Sequence, residues 1–531
     1  MVSSDTRRLG ALAASLFVAT TIVCAYLTSR LMLNYDVAGF LLDAEAMLSG
    51  RRLFIDFFEI NTPSNTWLPV ISVLLSRALP VHLADIHVAI LIASTTGIAA
   101  LTLWLLWRQA GATYPTMLLV ASVLLPALFL WYPDYDFGQR EPFFLVAMAP
   151  FAIVMLGRHA GCSSSRATSV IVGLIAAFGA STKPHFMLCV GALLFVDLCL
   201  RRGRIREIGL ESFVLAGALA VYLVWIVLAY PLYFSEMLPI ASATYAPLAP
   251  SKDVAIGRLG ARRVTMVGVP ILAMLAIVAL RPKAPDTSRK WWLLAFWVTA
   301  AICALAICIL PAHGFRYHQL IFTPLLILSG GLALAALVDR LSLHGALAGG
   351  AAAVCVVIAF FAADRLNTPD GGTGRAEAIN DALARYLRGL PSGTPVLFIG
   401  MSQPPFSPLQ AYADVRPTNT FSTLVPLRAV VSDLDRARES GKPRDPEIAA
   451  VERRMRGYVL GAFGPRRPEV VVVDVSMPAR WFERYGKPFS LISFLSEDPG
   501  FAREWTNYER VGEMPSMNFK VETYKRRKDA P

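Results

Sequence analysis

Apolar runs, each near the length of a bilayer, follow one another from Gly10 to Ala363. At ~1.5 Å of rise per residue, about 20 apolar residues cross a hydrocarbon core of about 30 Å. Inside lipid every backbone amide and carbonyl needs a partner from the chain itself, so runs of this kind are read as helices. Spans are expected near 10–33, 85–108, 114–132, 141–158, 167–182, 185–200, 210–230, 263–281, 290–311, 317–338 and 345–363. The expected fold is therefore an α-helical polytopic membrane protein with about 11–13 transmembrane helices. A composition that is 55% hydrophobic and 17% charged agrees with it.

Charge orients the chain. The first run follows Arg7 and Arg8, exceeds the core of a signal peptide and lacks a small-residue cleavage site, which predicts an uncleaved span with a cytoplasmic N-terminus. The segment 66–80 (TWLPVISVLLSRALP) is short and bounded by Pro63 and Pro80. Reading it as re-entrant or interfacial puts the two densest basic loops, RRGRIR (201–206) and RPKAPDTSRK (281–290), on the inside. The net charge of +12 is no nucleic-acid footprint, because arginines fall in short loops between the apolar runs, which suits anionic headgroups.

With that orientation the polar loops fall outside: 34–65, DYDFGQRE (134–141), STKPHF (181–186), 231–262 and PAHGFRYHQ (311–319). The stretch 34–65 carries Asp36, Asp43, Glu45, Asp56 and Glu59. On a helix over 36–48, Val37, Leu41, Ala44 and Leu48 form one stripe, with Asp36 and Asp43 on a neighbouring edge. Such a helix lies in the interface, its acids either solvated or held at the mouth of a helix bundle. Beyond residue 364 the chain changes character. TPVLFIG (394–400) and EVVVVDV (469–475) read as buried parallel strands, with helices near 375–389, 427–438, 445–457 and 490–503. That predicts a C-terminal extracytoplasmic α/β domain over 364–531, after a membrane domain over 1–363. No cysteine lies beyond Cys355, so this domain is no disulfide scaffold, and no CxxC pair suggests zinc.

The succession of long span, Asp36, amphipathic helix, FFE turn and Pro63 return to the membrane resembles the GT-C superfamily of polyprenyl-phosphate-sugar glycosyltransferases. The branch it is most similar to is that of protein O-mannosyltransferases and the lipid A aminoarabinose transferase. FGQRE (137–141), KPHF (183–186), GFRYH (314–318) and the closing FLSEDPGFAREWTNYERVGEMPSMNFKVETYKRR carry the same resemblance over essentially the whole chain. Many relatives have an Asp-Glu pair and a double proline where this chain has Asp36-Val37 and Thr62-Pro63-Ser64.

The resemblance implies a bacterial inner-membrane enzyme, taking a sugar from a polyprenyl phosphate to a glycan, lipid or protein acceptor. Asp36 takes the place of the catalytic acid, with Glu59 beside it, and Asp136 or Glu141 that of the second acidic loop. Lys183, His185, His313, Arg316 and His318 are then candidates for the donor phosphate, to which arginine offers a planar fork of donors. Each has a plainer reading: an Arg140–Glu141 interface pair, a snorkelling Lys183, a topology signal in 313–318. Carboxylates and phosphate would accommodate Mg²⁺ without requiring it. A lipid-linked saccharide transporter and a non-catalytic scaffold remain the alternative classes.

Overall fold

The computed structural model describes residues 4–110, 114–159, 161–201, 203–245, 316–340, 375, 380–464, 467–476 and 489–529. The expected spans 263–281, 290–311 and 345–363, and His313, lie outside these residues. In chain order the helices are α1 (Ser4–Ser29), α2 (Tyr35–Leu48), α3 (Trp67–Ala78), α4 (Leu83–Ala110), α5 (Pro115–Pro126), α6 (Arg140–His159), α7 (Arg166–Ser181), α8 (Pro184–Leu200), α9 (Leu210–Ala229), α10 (Leu238–Tyr245) and α11 (Phe322–Arg340). Four of them, over Arg7–Ser29, Leu83–Gln109, Arg140–His159 and Leu210–Ala229, are long and apolar enough to cross a membrane. With the shorter apolar helices between them, they make this a multi-pass membrane protein.

The described residues form two compact units. The first holds α1, α5 to α8, α11 and most of α4 and α9. Its helices start where the sequence supplies a cap: Ser165 accepts the Thr168 N–H at 3.1 Å, and Pro184 follows Lys183 as the first residue of α8. α5 continues through a π-turn, Ala127–Trp131, where the Thr28 hydroxyl donates to the Leu130 carbonyl at 2.8 Å. One core gathers Phe17, Leu118, Leu125, Phe129 and Leu328; a second gathers Phe144, Phe151, Ala176, Phe186 and Leu215. α6 and α7 approach closely because Gly179 has no side chain: a Cβ there would meet the Ala147 Cβ at 2.5 Å. Lipid offers no hydrophobic drive between helices, so such close contact is what holds them.

Ion pairs tie the C-terminal end of α6. Arg158 bonds both Glu211 oxygens at 2.7 and 2.9 Å, and Ser169 at 3.1 Å, linking α6, α9 and α7. Asp197 of α8 accepts from His159 at 2.5 Å and from Arg201 at 3.0 Å.

The second unit joins residues 32–88 and 225–245 to the C-terminal residues. Its sheet has the order β2–β1–β3–β5–β4, with β1 (Thr394–Ile399), β2 (Val415–Pro417), β3 (Val470–Asp474), β4 (Tyr508–Ser516) and β5 (Phe519–Arg526). β1 runs parallel to both β2 and β3, Val396 opposite Val470, and both apolar strands are buried throughout, as the valine-rich runs predict. Helices Leu427–Ser440 and Pro446–Gly461 connect β2 to β3, the first ended by Gly441 at φ +67°. The closing hairpin β4–β5 was not expected from sequence. β4 (YERVGEMPS) is buried only at Tyr508 and Ser516, so it lacks the apolar run by which strands are recognised.

The first loop is stitched to this α/β domain. α2 packs on α3 and on the short helix Phe406–Gln410, which follows β1. The Phe58 N–H donates to the Thr420 carbonyl at 2.9 Å and the Ser422 N–H to the Phe58 carbonyl at 3.1 Å, a strand-like pairing next to β2. α3 is 12 residues long, about 18 Å of helix, and is too short to span.

Candidate functional site

Two polar clusters carry the residues singled out by sequence, one in each unit. In the second unit, Asn34 caps α2 by accepting the Asp36 N–H at 2.9 Å, which places Asp36 in the first turn, where the helix dipole favours a carboxylate. Asp36 and Asp43 share an edge as predicted, but neither is solvated: both are buried, as is Glu59. Glu59 follows directly on the Phe58 pairing, and its Oε1 accepts from the Ile60 N–H (2.7 Å), the Asn61 N–H (2.8 Å) and the Asn61 side-chain amide (2.6 Å). Asp43 faces Glu59. Burial first, then the charge and hydrogen bonding of Glu59, holds the Asp43 carboxyl well above the usual carboxylate range, partly offset by Arg51.

In the first unit, three stretches far apart in sequence meet at the N-terminal end of α6. Glu141 is wholly buried, and its Oε1 accepts from Lys183 Nζ, while His318 Nε2 lies 3.8 Å from the same oxygen. Lys183 also sits 5.2 Å over the Tyr317 ring. Arg140 and Gln139 are buried beside Glu141 in sequence, and Asp134 and Asp136 occupy a buried 3₁₀ turn just before them. Glu141 Oε2 and His185 Nε2 are buried without a hydrogen bond among the described residues. Arg316 opens the 3₁₀ turn Arg316–Leu320 that carries His318.

FGQRE, KPHF and the end of GFRYH thus converge. Glu141 takes Lys183 as a partner, and the Lys183 side chain is 11% exposed, so a lysine snorkelling to the interface does not describe it. Lys183, Arg140 and His318 gather against the Glu141 carboxylate, with Asp134 and Asp136 buried in the preceding turn. Sequence reasoning gave no role to Asp43, Asn61, Gln139 or Tyr317. For Asp43 the signal was present: it lies seven residues, two turns, after Asp36.

No family model and no curated protein matches the chain. Solved structures do. ArnT from Cupriavidus metallidurans bound to undecaprenyl phosphate superposes with a TM-score of 0.54 at 13% identity, over 96% of this chain and 97% of that one. The fold is GT-C-like. The apo state of the same ArnT gives a TM-score of 0.47 at 15% identity, again over 96% and 97%. The archaeal oligosaccharyltransferase AglB from Archaeoglobus fulgidus, in complex with an inhibitory peptide and a dolichol-phosphate, gives 0.49 at 12%, over 97% of this chain and 75% of that one.

Proposed function

We propose that the protein is an integral membrane glycosyltransferase that moves a sugar from a polyprenyl-phosphate donor to a cell-envelope acceptor on the exoplasmic side, with inversion. The observation that supports this reading is the buried cluster of ionisable side chains at the head of α6, where Glu141 meets Lys183 and His318, on a GT-C-like fold. Glu141 takes a hydrogen bond from Lys183.

Asp36 accepts the proton of the acceptor hydroxyl as that oxygen attacks the anomeric carbon, with Glu59 sharing the acid–base work. The bond from the anomeric carbon to the phosphate oxygen breaks, and the lipid phosphate leaves with the electron pair. Lys183, His185, His313, Arg316 and His318 stabilise the charge that grows on it. Asp136 and Glu141 form the second acidic loop, Glu141 holding Lys183 in place. Among the described residues no three His, Cys, Asp or Glu side chains converge as metal ligands, and no step is routed through Mg²⁺. The protein lies in the bacterial inner membrane, with its N-terminus cytoplasmic and its α/β domain periplasmic.

Mass spectrometry of lipids that copurify with the protein identifies the donor. In proteoliposomes with a radiolabelled polyprenyl-phosphate sugar, Asp36→Asn is expected to lower transfer by ~10²–10⁴-fold, the usual worth of a general base, with donor binding retained. A folded Asp36→Asn protein that transfers at the wild-type rate overturns the reading. A bound lipid with no transfer at all turns it into a carrier.

A further inference from the structure

We propose that Asp43 is a positioning residue which holds the Glu59 carboxylate through one shared proton, so that the first loop carries a carboxylic acid–carboxylate pair. The inference deepens the transferase reading and, for its kinetic arm, rests on it.

Three observations carry it. Asp43 and Glu59 are each more than nine-tenths buried. Glu59 Oε1 is saturated by three donors from Ile60 and Asn61, which leaves its second oxygen as the one free to meet Asp43. Asp43 Oδ2 is buried and has no hydrogen bond among the described residues. Two carboxylates that face each other out of water do not both ionise; one keeps a proton and donates it to the other. The upward shift of Asp43, led by burial and then by Glu59, points the same way.

Facing Asp43 are Glu59 and Arg51. Elsewhere on α2, Glu45 is set against Arg77 of α3 and Asp414, and Asp36 lies two turns earlier. The segment around the helix Phe406–Gln410 offers Gln403 and Ser407 against Gly39, and neither titrates in this range.

The shared proton fixes Glu59 from the side that Asn61 does not reach. Its loss leaves two buried like charges and loosens the loop. For a carboxyl raised in the folded state, the stabilisation is complete below the unfolded value of about 3.9 and is lost as pH rises through the folded value. Asparagine keeps a permanent donor at this position; leucine keeps the volume and has no donor.

The full-length protein in nanodiscs is heated between pH 4 and pH 9 as wild type, Asp43→Asn and Asp43→Leu. The wild-type Tm is expected to fall across that range by several degrees more than that of Asp43→Asn. In proteoliposomes the alkaline limb of the transfer rate is expected to move up by at least one pH unit in Asp43→Asn. Asp43→Leu is expected to lose about tenfold in rate, the worth of one hydrogen bond to a charged group. Parallel Tm–pH curves for wild type and Asp43→Asn overturn the proposal, as does an unmoved alkaline limb. The melting arm needs no substrate, so the carboxyl pair is decided even if the chain transfers no sugar.

Discussion

A side chain's worth in this protein depends on what it is buried against. Lys183 and Glu141 show it: neither is a surface charge, their side chains being 11% and 0% exposed. Lys183→Met leaves the Glu141 carboxylate without its main partner, and breaking a buried pair of this kind costs about 3–5 kcal/mol. Adding Glu141→Gln removes the stranded charge and is expected to recover most of that stability, since a neutral buried pair of similar volume is often no worse than the ionic one. Thermal unfolding of the single and double variants checks this. The double variant is expected to stay folded yet bind the lipid donor poorly, which separates a structural from a ligand-binding use of Lys183. The individual charges were legible in the sequence; their pairing was not, because residues 42 apart along the chain say nothing about which carboxylate a lysine will reach.

Among elements, the first loop is the one whose shape depends most on others. α2 was readable from its stripe of Val37, Leu41, Ala44 and Leu48, because periodicity is local. The run after it, residues 50–66, has no periodicity, and its course is set by pairing with residues 420–422. Ser422→Pro removes the N–H that donates to Phe58 and is expected to cost about 1 kcal/mol or more. Hydrogen exchange is expected to rise at Phe58 and the amides around Glu59, while the exchange of α6 and α7 stays unchanged. Equal protection of the loop in both proteins would refute the pairing. The same dependence explains why β4–β5 escaped notice: its strands are defined by partners along the ladder, and alternating exposed residues carry too little apolar signal.

At the scale of the whole molecule, the α/β domain has a definite task. Tyr412 accepts the Leu33 N–H at 3.0 Å, Asn419 accepts from Arg51, and Thr420 and Ser422 hold Phe58. In a free-standing parallel sheet, the segments after the strands are where ligands are commonly held; here the segment after β1 packs against α2 instead. A chain ended before Ala382 is therefore expected to keep its membrane helices while its first loop becomes sensitive to protease, with loss of transfer. Limited proteolysis of the reconstituted protein at Arg51 and Arg52 reads this out. By itself the sequence determined the membrane helices among the described residues and the buried parallel strands, because hydropathy and helix periodicity act over a few neighbouring residues. Only the tertiary structure decided that Glu141, Lys183 and His318 meet, that Asp43 faces Glu59, and that the first loop leans on residues more than 300 positions later. Those outcomes follow from burial. A charge taken out of water must find whatever partner packing brings to it, and packing joins positions that no local rule connects.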